Sequence, residues 1–149
     1  MAGIPVKILN LTDRPTDEVR KLLHFGMRGL NHKGLVVKVV TSRKKAWDGK
    51  IHCSGYADGR GSILIRLAPD SQFPFQGWRR HRSSPWAHDW TDWREALVAL
   101  AAHEVRHYNL PWITGWRGKS QQRIEMACEA FENLRLREYR ATLSEEGTT

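Results

Sequence analysis

The sequence predicts an α+β fold: one domain in which a small sheet is joined to an N-terminal helix, a histidine-bearing helix and a C-terminal helix. Three observations lead there. Short β-branched runs are bounded by turn residues, as strands are. Longer Gly- and Pro-free runs carry apolar residues at helical spacing. No repeat or linker divides the 149 residues, a length that fits one domain with a sizeable core.

Pro5 to Leu11 reads as a short first strand. Thr16 then reads as an N-cap, with Asp17 and Glu18 placed to favour the positive end of the helix dipole. Val19, Leu22, Leu23, Met27 and Leu30 follow at helical spacing, and Gly34 suits the exit. Leu35–Thr41 is dense in valine and reads as a buried strand. Gly55 to Gly61 has turn chemistry, and Ser62–Leu67 reads as the next strand.

Residues 69–91 read as a long loop rich in tryptophan and arginine, including Trp78, Arg79, Arg80, Arg82, Trp86 and Trp90. It is suited to stacking on bases and pairing with phosphates, to folding as a lid, or to a plain surface role. Asp92 and Glu95 have the form of a capping box, which starts a helix that Pro111 stops. A second loop leads to Ser120, a candidate N-cap for a last helix. Its apolar stripe is Ile124, Ala127, Cys128, Phe131 and Leu134. The tail from Thr142 to Thr149 is expected to fray.

Composition narrows the function classes. Apolar residues at 40% and charged residues at 27% exclude a disordered chain. Two cysteines, Cys53 and Cys128, make no disulfide framework, and no run approaches a membrane span. A cytoplasmic location is the expectation. The net charge of +8 suits contact with polyanions, so nucleic acid is a candidate partner through residues 69–91.

The chemistry concentrates in Ala101–Tyr108. His103 and His107 lie four apart with Glu104 directly after the first, the H-E-x-x-H pattern. On a helix, positions i and i+4 share a face, so both imidazoles point the same way one turn apart. That arrangement suits two ligands of one tetrahedral zinc, with Glu104 beside them as general base. A catalytic zinc wants three protein ligands and an open position. No His or Asp follows His107, so a downstream ligand is a glutamate or cysteine. Leu110 and Ile113 stand where the metzincin extension needs Gly and His.

With Glu125 and Glu129 four apart further on, the chain resembles the gluzincin branch of the zincin metallopeptidases, H-E-x-x-H followed by E-x-x-x-E on a second helix. The order of elements is similar to the minimal zincin layout of SprT-like and phage-type metallopeptidases, though without a later histidine. The specific match covers residues 103–107 and 125–129, and the layout covers about 5–141. The resemblance implies zinc held by His103, His107 and Glu125, with Glu129 accepting the free N–H of His103; Glu129 is also the main substitute for Glu125 as third ligand. It implies hydrolysis of a protein or peptide substrate paired along the strand Ser62–Leu67. Tyr108, His88 and Tyr139 are candidates to steady the oxyanion. A rival expectation is a basic nucleic-acid- or protein-binding module around a structural zinc, with Cys128 or Glu129 completing a closed site.

Overall fold

The computed structural model describes residues 4–45, 49–78, 88–110 and 119–147. It is an α+β fold, as the sequence predicts. Strand β1 (Lys7–Asn10) leads into helix α1 (Thr16–Met27) and returns as β2 (Val36–Thr41). Strands β3 (Ser54–Ala57) and β4 (Ser62–Leu67) form a hairpin. Strands β5 (Phe75–Trp78) and β6 (His88–Trp90) precede α2 (Trp93–His107) and α3 (Lys119–Gly147).

The main sheet runs β1-β2-β4-β3, with β1, β2 and β4 parallel and β3 antiparallel at the edge. Because side chains alternate along a strand, one face presents Ile8, Val37, Val39, Ile63, Ile65 and Leu67 to the core. The other face keeps Lys7, Lys38, Tyr56 and Arg66 exposed.

Helix α2 lies in the middle of the molecule. It packs on β3 and β4, on α1 and on α3. Every residue from Glu95 to Val105 is buried, so this helix is apolar nearly all round rather than along one stripe. Close approach to α1 depends on Gly26: a Cβ there would lie 2.8 Å from the Val98 carbonyl oxygen and 2.9 Å from the Ala101 Cβ. Only glycine lets the two helix backbones meet this closely.

The start of α2 is capped as its sequence predicts. Asp92 accepts from the backbone N–H groups of Arg94 and Glu95, and the Glu95 carboxylate accepts from Thr91 N–H at 2.9 Å. At the other end, Tyr108 reaches across to the β3–β4 turn. Its hydroxyl donates to Asp58 Oδ1 at 2.8 Å and accepts from Gly59 N–H at 2.9 Å.

Several expectations need correction. Thr16 is the first helical residue rather than the cap; Asn10 holds the entry through Arg14 O and Thr16 Oγ1. Gly55, Tyr56 and Ala57, read as the start of a turn, belong with Ser54 to β3, because pairing with β4 outweighs their weak strand propensity. The stretch 69–91 contains a 3-10 turn at Asp70–Gln72 and a small antiparallel sheet. Residues 79–87 of that stretch lie outside the described residues, and with them most of the expected basic loop. Helix α3 continues through the expected tail to Gly147. Leu134 is exposed, whereas Arg135 and Leu136 face inward. Among the described residues no helix is long and apolar enough to cross a membrane.

Candidate metal centre

The last two turns of α2 and the middle of α3 build the site. His103 and His107 share one face of α2, their ring centroids 5.3 Å apart. Both are buried, at 1% and 3% exposure. Burial is what the sequence dictates here, since the run Ala96–Ala102 draws this helix into the core and the motif follows it.

Helix α3 lays an acidic stripe against that face. Glu125, Glu129 and Glu132 recur at intervals of four and three, so they share one side of the helix with Cys128. The two carboxylate oxygens of Glu125 divide between the histidines: Oε2 lies 3.2 Å from His103 Nε2, and Oε1 lies 3.0 Å from His107 Nε2. Burial opposes ionisation of Glu125, but the hydrogen bonds from His103 and His107 override it. Together they hold its carboxyl well below the usual carboxylate range. The Glu125 carboxylate therefore bridges the two imidazoles.

The carboxylate expected to steady His103 is a different one. His103 Nδ1 lies 2.9 Å from Glu132 Oε1, so Glu132 stands where Glu129 was expected. Glu132 is seven residues beyond Glu125, two helical turns on and almost in line with it, and is 1% exposed. Glu129 is equally buried on the same stripe. Its spacing signal was in the sequence, but the stripe also reads as a solvated acidic face; α2 lies opposite it in place of water.

Glu104 sits beside the pair. Its Oε1 is 3.9 Å from the Nε2 atoms of both His103 and His107. Its Oε2 is buried and has no hydrogen-bond partner among the described residues. A buried carboxylate oxygen left in that state calls for an explanation, such as strain, a bound water or ion, or a catalytic role. Strand β3 presses on the same side chain: a Cβ on Gly55 would lie 2.8 Å from Glu104 Cγ and 3.2 Å from Oε2.

His103, His107 and Cys128 form a buried group whose donor atoms lie within 4.8 Å of one another, and such a group can hold a metal ion. Imidazole nitrogen and thiol sulfur are donor types that bind metal ions.

Two of the three candidates for an oxyanion donor are engaged elsewhere. The Tyr108 hydroxyl is committed to the β3–β4 turn. Tyr139 packs on Phe25, with Asp92, Arg94 and Glu95 from the start of α2 as its charged neighbours. The side chain of His88 falls outside those described. Nor is Ser62–Leu67 an edge strand: β4 is paired on both sides, by β2 and by β3, and the edge nearest Glu104 is β3. No family model, curated protein or solved structure matches the chain.

Proposed function

We propose that the protein is a zinc-dependent metallopeptidase. The observation that carries this reading is the convergence of His103 Nε2, His107 Nε2 and both oxygens of Glu125, with Glu104 Oε1 equidistant from the two imidazoles. In this reading His103, His107 and Glu125 hold the zinc. Bound there, the ion supplies Lewis acidity that makes water a nucleophile near neutral pH and polarises a carbonyl.

The chain's own residues supply the rest. Glu104 takes the proton from the attacking water and delivers it to the leaving amine, and its unpartnered Oε2 suits that work. Glu132 accepts the Nδ1 proton of His103, fixing the tautomer that leaves Nε2 as a donor atom. Gly55 leaves room for the Glu104 side chain on the sheet side. The edge strand β3 offers backbone groups to an extended peptide, a mode of binding with little sequence demand. Nucleic acid remains a candidate partner through residues 69–91 and the net charge of +8.

A second reading, a structural metal in a binding module, is favoured by one observation, the presence of Cys128 within the donor group. The two readings separate on Glu104→Gln. A peptidase loses casein cleavage by about 10²–10⁴-fold in this variant while keeping its zinc. Wild type and Cys128→Ser that both bind zinc and cleave no protein or peptide substrate contradict the peptidase reading. Unfolding on chelation of such a protein establishes the structural one.

A further inference from the structure

We propose that Cys128 gives its thiolate to the same metal, so that the resting site is closed by two imidazoles, one carboxylate and one sulfur. This rests on the metal reading above and adds a regulatory state to it. Three observations carry it. The Cys128 donor atom lies within 4.8 Å of those of both His103 and His107. Cys128 follows Glu125 by three residues on α3, which brings it to the same side of the helix, and it is 0% exposed. Glu104, whose Oε1 lies 3.9 Å from both imidazoles, keeps a buried Oε2 without a hydrogen-bond partner among the described residues, which suits a ligand held at the histidines.

Sulfur ligation exchanges one metal-bound group for another. The exchange is balanced: the thiol loses its proton to solvent as sulfur takes the position that water otherwise fills. With four protein donors the site has no open position. Hydrolysis then requires Cys128 to withdraw, which makes the thiol a gate on the activity.

Cobalt tests this without an activity assay, because thiolate ligation gives Co²⁺ an intense near-ultraviolet charge-transfer band that nitrogen and oxygen donors do not. The full chain is stripped of metal, loaded with Co²⁺ and compared with Cys128→Ser and Cys53→Ser. Cys53 is the right control, since it lies elsewhere in the core and accepts from Ala68 N–H. The expected result is one cobalt per chain in all three, with the band present in wild type and Cys53→Ser and lost in Cys128→Ser. Cobalt bound by wild type without the band overturns the thiolate proposal and leaves the His–Glu site standing. Wild type that takes up neither cobalt nor zinc overturns the metal reading and this proposal with it. Should Cys128→Ser fail to fold, the spectra of wild type and Cys53→Ser still decide.

Discussion

Helix α2 buries a glutamate near each end, and the two are treated in opposite ways. Glu95, in the first turn, is 6% exposed; Glu104, in the last, is 4% exposed. Glu95 receives Arg140 from α3 at 2.8 and 3.0 Å, and the backbone N–H of Thr91. Burial raises its pKa, yet the hydrogen bonds from Arg140 and Thr91 prevail and hold it below its ordinary value. Glu104 is given no such cation: its Oε2 has no hydrogen-bond partner among the described residues, and two imidazoles stand 3.9 Å from its Oε1. Residue type, helix and depth are the same. What differs is the facing segment of α3, which contributes an arginine at one end and a glutamate at the other. The satisfied carboxylate holds the fold together; in the peptidase reading proposed above, the unsatisfied one serves as the base.

The comparison breaks most visibly in Glu104→Gln. Activity should fall by about 10²–10⁴-fold while thermal stability holds or rises, because a buried charge with an orphaned oxygen is removed. A clear loss of stability would show that Glu104 is structural after all. Gly55→Ala should come next. Its Cβ collides with the Glu104 side chain, and misplacing a catalytic group by about 1 Å can cost on the order of 10²-fold in rate. Circular dichroism of that variant should remain native; unchanged kinetics would dissociate Gly55 from the site.

Glu95→Gln should do the reverse, lowering stability by about 1–2 kcal/mol, since the charged hydrogen bonds to the partly exposed Arg140 are screened by solvent. Its signature is pH dependence. The folded pKa of Glu95 lies below the value of 4.5 for a free glutamate. Its stabilisation is therefore complete above that value and is lost as the pH falls through the lower folded pKa. Denaturant melts of wild type and Glu95→Gln should converge in acid; a constant gap would sink the assignment. The smallest effect belongs to Tyr108→Phe. Removing the bond to Asp58 should cost roughly 1 kcal/mol and leave kcat within about threefold of wild type. A collapse of kcat would return Tyr108 to the catalytic machinery.

The reach of the sequence follows the range of the forces involved. The i, i+4 pairing of His103 and His107 and the capping by Asp92 are local and could be read directly. So could the burial of α2, because an unbroken apolar run needs no partner to be recognised. Strand β3 could not, since Ser54–Ala57 becomes a strand only by pairing with β4. The roles of Glu132 and Gly55 also lie in tertiary contacts, 29 residues from His103 in one case and 49 from Glu104 in the other. Helical phase placed Glu125, Glu129 and Glu132 on one face, but only the packing of α3 shows which of them meets which nitrogen.

Zinc binding by wild type, Glu125→Ala and Glu132→Gln, titrated against a competing chelator, decides whether these side chains hold the metal. Wild type should bind one zinc per chain. Glu132→Gln should weaken binding by roughly 10–100-fold, the usual effect of losing a partner of a ligand, and Glu125→Ala should weaken it further. Wild type that holds no zinc after reconstitution, or Glu125→Ala that binds as tightly as wild type, would contradict that assignment.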